Sequence, residues 1–358
     1  MPDTALESLS ERIRAAASEG ARLRIRGGGT KDFYGQALAG EIFDTRPCAG
    51  IVAYEPSELV VTARCGTPLP ELERALGERG QMLAFEPPHF GTGATLGGMI
   101  ASGLSGPRRQ AAGAVRDFVL GVRVIDGRGA SLRFGGQVMK NVAGYDVSRL
   151  MTGALGTLGV IVEASIKTLP VPVAEASLRL EMPEATAIET MNRWAGKPLP
   201  VSATAFAGGQ LAVRLSGAAA AVKAACERIG GERIADADAA ALWSAVRDHA
   251  APFFEARPGG TPLWRISLPS ATPPLGIPGQ LTIEWGGALR WLVTTADART
   301  IRDAARRAGG HATLFRYGDK SLGVFQPLEP AIAAVHRRLK AEFDPAGIFN
   351  PGRMYPDL

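Results

Sequence analysis

Cysteine is scarce in this 358-residue chain: Cys48, Cys65 and Cys226 are the only three, and none falls in a CxxC spacing. One thiol stays unpaired whatever the fold, which argues against a disulfide framework and against an iron–sulfur or zinc site within the chain. Histidine is nearly as rare. His89, His249, His311 and His336 stand apart in sequence and read first as surface or packing residues. His89, after Pro87-Pro88, and His311, after Gly309-Gly310, are kept as site candidates. No apolar run reaches about 18 residues, so no transmembrane helix is expected. The opening MPDTALESLSER has no basic segment followed by an apolar one, so no signal peptide is read there. There is no GxxxxGK[ST], and no GxGxxG opening a long helix, which disfavours P-loop and Rossmann readings. The net charge is +5 and the pI about 9.3, yet the 40 basic residues are scattered. Without a basic stripe interleaved with aromatics, no nucleic-acid partner is expected. A basic surface facing an anionic cofactor, partner or membrane face fits the charge.

Glycine, by contrast, is concentrated. The strand-like RLRIR at 22–26 breaks into Gly27, Gly28, Gly29, Thr30 and Lys31. Consecutive glycines expose several N–H donors, while Thr30 and Lys31 add a hydroxyl and a charge, so a pyrophosphate suits this nest. A second run, residues 86–117, places Thr95, Leu96, Gly97, Gly98, Ser102, Gly103, Leu104 and Ser105 where a flat cofactor would lie against main chain. Arg108, Arg109 and Arg116 bring charge to it; Gly113 and Asp117 close it. A third run, Gly135–Gly159, ends in Gly153, Gly156 and Gly159 before an apolar strand from Val160 to Leu169. Three loops can wrap a long, doubly charged dinucleotide that one cannot.

The length implies two domains, and 46% hydrophobic with 21% charged residues is a soluble globular composition. Helix 5–18 and short strands at 22–26, 41–44, 51–54 and 59–64 come first. A helix from Thr67-Pro68 to Arg79 follows, then a hairpin of strands 118–125 and 130–134 turning at Asp126–Gly129. Pro170 and Pro172 mark a boundary. Beyond it, strands (175–181, 201–206, 211–215, 263–268, 281–285, 289–294, 311–316) alternate with helices (184–195, 217–229, 238–248, 297–308). This reads as two rounds of helices on an antiparallel sheet, an α+β cap. Helix 329–343 leads the chain back. The expected domains are 1–172, 173–327 and a returning tail, 328–358.

RGGGTKDFYG (26–35), ATLGGMIASGLSGPRRQAAGAVRDFVLG (94–121), KNVAGYDVSRLMTGALGTLGVIVEA (140–164) and FDPAGIFNPGR (343–353) together resemble the vanillyl-alcohol-oxidase, or PCMH-type, FAD-binding family. The cap, with LWRISLP (263–269), WGGALRW (285–291) and GGHATLFR (309–316), is similar to the FAD-binding E subunits of bacterial glycolate oxidases. The resemblance implies an α+β fold in which a two-lobed FAD-binding domain carries an antiparallel-sheet cap. It implies FAD pyrophosphate contacts from Gly27, Gly28, Gly29, Thr30 and Lys31. Further pyrophosphate and isoalloxazine contacts fall on Thr95, Leu96, Gly97, Gly98, Ser102, Gly103, Leu104 and Ser105, closed by Gly113 and Asp117. Gly156, Leu158, Gly159, Val160 and Ile161 would line the adenine or ring edge through main chain, and Asn350 would hydrogen-bond near the flavin. Attachment is expected to be noncovalent: tethering relatives use a histidine where this chain has Thr30, and no cysteine lies in 95–117. Partners implied are a larger FAD-containing catalytic subunit and an iron–sulfur subunit, with a small 2-hydroxy acid as substrate. The location implied is cytoplasmic, on the inner membrane only through that complex.

Oxidising a 2-hydroxy acid needs a base, a carboxylate anchor and a hydride path. The histidine-rich metal motif of the catalytic relatives is absent, and no catalytic residue is assigned. Two readings stay open: a redox-active flavoprotein subunit, or an FAD-binding subunit whose work is assembly. Arg108 and Arg109 could clamp a carboxylate. Trp243, Trp264, Trp285 and Trp291 all fall in the cap; core packing is the ordinary explanation, and partner contact the sharper one.

Overall fold

The computed structural model describes residues 3–136, 145–255 and 260–358. Gln137–Gly144 of the third glycine run therefore lie outside the described residues. Helix α1 (Asp3–Glu19) precedes β1 (Leu23–Arg26) and β2 (Glu41–Asp44), which pair in parallel. The tail adds Phe349 beside Leu23 as a further bridge. Ile13, Leu23, Phe43, Ile348 and Phe349 form the core of this small lobe.

A second lobe follows: β3 (Ile51–Glu55), β4 (Val60–Arg64), α2 (Leu69–Gly77), the short β5 (Gln81–Met82), α3 (Leu96–Ser102), α4 (Arg109–Ala112), α5 (Val115–Phe118), β6 (Val119–Ile125), β7 (Ser131–Gly135), α6 (Val147–Met151), β8 (Val160–Lys167) and β9 (Leu169–Pro170). Its antiparallel sheet has the order β3-β4-β8-β6-β7. Strand β8 is central and buried on both faces. Ile161, Ala164 and Ile166 meet α2 and α3, whereas Val160 and Val162 meet the small lobe. That is why it reads as an unbroken apolar run rather than an alternation. Leu69, Leu72 and Leu76 bury one stripe of α2, which Pro68 precedes. The expected hairpin pairs Ile125 with Ser131.

The cap runs through β10 (Ala174–Glu181), α7 (Glu184–Ala195), β11 (Val201–Ala207), β12 (Gln210–Gly217), α8 (Ala219–Ile229), β13 (Glu232–Ile234), α9 (Asp236–Asp248), α10 (Pro252–Glu255), β14 (Leu263–Ser267), β15 (Gln280–Glu284), β16 (Leu289–Val293), α11 (Ala298–Arg307) and β17 (His311–Arg316). The two rounds read from sequence merge into one eight-stranded antiparallel sheet, β13-β10-β12-β11-β15-β16-β14-β17, joined where β11 pairs with β15. Helix α12 (Pro330–Phe343) returns the tail. Burial settles the tryptophan question: Trp243, Trp264, Trp285 and Trp291 are all buried, as is Trp194. Trp194, Trp243 and Trp264 pack the cap core, Trp285 and Trp291 pack the junction of cap and lobes, and no exposed tryptophan remains to anchor a partner. The indole N–H groups of three of them find acceptors in Ser177, Gly106 and Glu284.

An ion cluster locks the cap onto the second lobe. Glu86 accepts from the Arg108 backbone N–H at 2.9 Å and pairs with Arg214 of β12 at 2.9 Å. Arg108 in turn reaches Glu175 of β10 at 2.6 Å. Burial works against the Glu175 carboxylate, but the Arg108 and Ser216 hydrogen bonds hold its pKa below the usual value. Replacing Glu86 by Ala leaves two buried guanidiniums short of their counter-charge and is expected to cost about 3 kcal/mol. Glu78→Ala, at an exposed helical pair with Arg74, should stay within about 0.5 kcal/mol. Denaturant titration of both variants checks the contrast.

Candidate cofactor cleft

The first glycine loop leaves β1 and faces the N-terminal end of α3. Thr95 caps that helix, its hydroxyl accepting from Gly98 N–H, and Gly103 ends it at φ +64°. Residues 86–117 are thus partly helical, where a continuous loop was expected. Thr and Gly at those two positions are ordinary helix boundaries, a signal the density of glycine obscured. Between loop and helix lies a cleft with about 550 Å³ of unfilled space open to solvent. Gly27, Gly28, Gly29, Thr30 and Lys31 form one wall; Thr95, Gly98 and Ser102 form the other. Leu155 of the third glycine run closes one side, with Asn350 and Arg353 of the tail.

Among the described residues, none of the backbone N–H groups of Gly27–Lys31 donates a hydrogen bond. Buried or half-buried N–H groups rarely go without acceptors, so five of them along one wall of the cleft fit an anion. The charges agree. Burial lowers the Lys31 pKa to about 8, against the pull of Asp248. Burial likewise brings Arg353 down to about 10. Both remain charged at neutral pH. Asp32, the acid on this wall, is occupied by Arg24 and Arg26. Gly98 is free of close backbone, a Cβ there meeting only the Thr95 hydroxyl at 3.3 Å, so its missing side chain leaves room for a guest. Gly27 and Gly28 have a second reason to be glycine. A Cβ on Gly28 would overlap the Gly93 carbonyl, and one on Gly27 would strike Thr95. Loop meets loop by direct backbone contact there.

Asn350 joins these parts. Its Oδ1 accepts from Ile25 N–H at 2.8 Å, and its Nδ2 donates to the Leu155 carbonyl at 2.6 Å. Gly156, at φ +72°, lets that amide approach. Arg353 then grips the carbonyls of Gln36, Lys31 and Asp32. The sequence reading assigned no role to Arg353, although it stands in the quoted tail motif three residues beyond Asn350.

Other expected site residues are placed elsewhere. Leu96 is fully buried, and Gly97 packs on Cys65. Leu104 joins an aromatic cluster between the lobes and the cap that includes Tyr34, Trp291 and Phe315. Ser105 accepts from Val115 N–H, and Asp117 from Ala114 N–H in the turn after Gly113. Leu158, Val160 and Ile161 lie in the core at the start of β8, and Gly159 fits against Val124. None of these lines the cleft described above. Of the histidines, His89 pairs with Glu73 at 3.0 Å. His249 stacks on Phe254 with centroids 4.0 Å apart, His311 is exposed, and His336 sits beside Tyr355. Among the described residues no group of three or more His, Cys, Asp or Glu is arranged to hold a metal, and no helix is long and apolar enough to cross a membrane. The residues lining the cleft include no histidine or cysteine to tether a cofactor.

Residues 4–135 match the model of an FAD binding domain family. The chain is 50% identical to glycolate oxidase subunit GlcE of Escherichia coli (strain K12) over 98% of both chains. It is 34% identical to glycolate oxidase subunit GlcD of Bacillus subtilis (strain 168), over 36% of this chain and 27% of that one. Among solved structures, 4-ethylphenol oxidase from Gulosibacter chungangensis superposes with a TM-score of 0.69 at 15% identity, over 98% of this chain and 88% of that one. That likeness concerns the fold alone.

Two outcomes follow from the cleft geometry. Raising pH through 8 removes the Lys31 charge from the free cleft, so FAD affinity should fall about tenfold between pH 7 and pH 9. Fluorescence titration of the flavin-free chain measures it, and Lys31→Met should flatten the profile. Asn350→Ala breaks two hydrogen bonds joining three segments. It is expected to cost about 2 kcal/mol of stability and to weaken FAD binding, read by thermal melting and the same titration.

Proposed function

This chain belongs to the family of GlcE-type glycolate oxidase subunits, and from that premise we propose that it is the FAD-binding subunit of a complex oxidising glycolate to glyoxylate. The observation that carries the reading is the cleft of five unbonded N–H groups flanked by Lys31 and Arg353, in a chain that matches a GlcE subunit end to end. FAD is its cofactor, held noncovalently. Bound there, FAD supplies an acceptor for the two electrons of the hydroxy-acid C–H bond.

The chain's own residues bind and orient it. The Gly27–Lys31 N–H groups and the Lys31 and Arg353 charges take the pyrophosphate. Thr95, Gly98 and Ser102 form the opposing wall. Leu96, Gly97, Gly103, Leu104, Ser105, Gly113 and Asp117 shape that wall from behind. Gly156, Leu158, Gly159, Val160 and Ile161 extend the site through main chain toward the adenine or ring edge, and Asn350 sets the distance between walls. In this division of labour residues 1–172 and 328–358 hold the cofactor, and the cap, 173–327, covers it. The chain works as one subunit of several. A larger FAD-containing subunit and an iron–sulfur subunit that carries electrons onward are the partners, and any attachment to the inner membrane runs through them.

The test is anaerobic mixing of the FAD-loaded chain with glycolate, alone and then with its partner subunits, following the visible flavin absorbance. Bleaching of this chain's flavin in the assembled complex is the expected result. A flavin that stays oxidised in both cases would leave the chain an assembly subunit.

A further inference from the structure

Two guanidiniums lie apart from the cofactor cleft with no acceptor. Arg109, on α4 just after the second glycine run, stands over the Trp285 ring at 4.3 Å. Arg265, on the cap strand β14, stands over the same ring at 5.3 Å and over Trp291 at 6.0 Å. Trp285 is pinned by its indole N–H to the Gly106 carbonyl at 3.0 Å, inside the second glycine run. The pair therefore sits where cap meets cofactor-binding lobe.

Stacking on an indole satisfies the face of a guanidinium and leaves its five N–H donors unused. Among the described residues neither guanidinium makes a hydrogen bond or an ion pair, whereas neighbouring Arg108 engages Glu86, Glu175 and Ser216, and Arg214 engages Glu86. Residues 137–144 and 256–259 contain no Asp or Glu that could serve instead. Arg265 feels Tyr34, whose hydroxyl pKa burial raises so that it stays neutral, and then Glu284, which is turned to the Trp291 N–H at 2.7 Å. Burial pushes that carboxyl up to about 8, so it supplies little negative charge at neutral pH. Arg109 has its pKa lowered by burial and then by the nearby charges of Arg265 and Arg116, with the more weakly felt Asp117 pulling the other way. Two like charges kept half-buried and unpaired are unfavourable unless an anion completes the site.

We propose that Arg109 and Arg265, set around Trp285, form a carboxylate-binding site that anchors a small 2-hydroxy acid at the junction of cap and cofactor lobe. The assignment rests on the functional reading above. A carboxylate suits it because guanidinium forks match two coplanar oxygens. The cofactor's own phosphates are provided for separately, by the cleft with Lys31 and Arg353.

The probe is oxalate, which offers carboxylates and no hydrogen to give up, titrated calorimetrically into the FAD-loaded full chain. The wild type should bind one oxalate, with a perturbed flavin spectrum. Arg265→Met and Arg109→Met should each weaken binding at least tenfold with flavin content unchanged, while Arg116→Met binds as the wild type. Arg265→Lys keeps length and charge in the strand, so a folded variant is secured; it should still lose most of the affinity. Oxalate ignored by the wild type, or bound equally by the arginine variants, overturns the proposal. Inorganic phosphate competing as well as oxalate overturns the carboxylate assignment. Flavin content in the same samples separates the two levels: a chain that holds FAD but ignores oxalate sinks this proposal alone, and one that holds no FAD sinks the functional reading.

Discussion

One side-chain amide holds the glycine-lined cleft at its width. Asn350 bonds β1 through Ile25 and the third glycine run through Leu155, and it sits in a tail that also runs beside Leu23. Its own backbone is at φ +40°, a conformation asparagine tolerates better than most residues. Lys340 reinforces the arrangement from α12, its ammonium shared between Asp344 and the carbonyls of Thr157 and Phe349. The last residues of the chain thus fix the geometry of a loop formed by its first thirty. Arg353 extends the same logic by tying the tail to the carbonyls behind the glycine nest.

Charge is distributed so that different parts of the interior do different work. The inter-lobe cluster of Glu86, Glu175, Arg108 and Arg214 is closed on itself and positions the cap. The cleft is less closed: among the described residues the N–H groups of Gly27–Lys31 donate to nothing, while Lys31 reaches the His89 carbonyl and feels Asp248, Arg353 holds the carbonyls of Gln36, Lys31 and Asp32, and Asp32 pairs with Arg24 and Arg26. A net charge of +5 spread over the surface says little about function. The location of unsatisfied donors says more.

Much of this was legible in sequence. Gly27–Lys31 and Thr95–Ser102 stood out because glycine is rare at such density unless backbone must approach something closely. The structure separates two reasons for it: Gly98 leaves space for a guest, while Gly28 exists because Gly93 passes across it. Composition cannot tell these apart. Helix α3 was hidden for the same reason, its capping residues lost among neighbouring glycines. The joining of the cap strands into one sheet depends on the β11–β15 pairing, a contact between residues about 80 positions apart that no local pattern encodes. The cap tryptophans were conspicuous, but whether a tryptophan faces core or solvent is decided by packing. Arg109 and Arg265 were invisible as a pair, because only the fold brings them to one indole.

In the function proposed for this chain, loops from both of its ends form a single noncovalent FAD site. The most direct measurement is acid precipitation of the chain purified with its flavin, followed by quantitation of FAD in the supernatant and pellet. One FAD per chain is expected, all of it released to the supernatant. A chain that retains no flavin under conditions where it is folded, or flavin that stays with the precipitated protein, would contradict it.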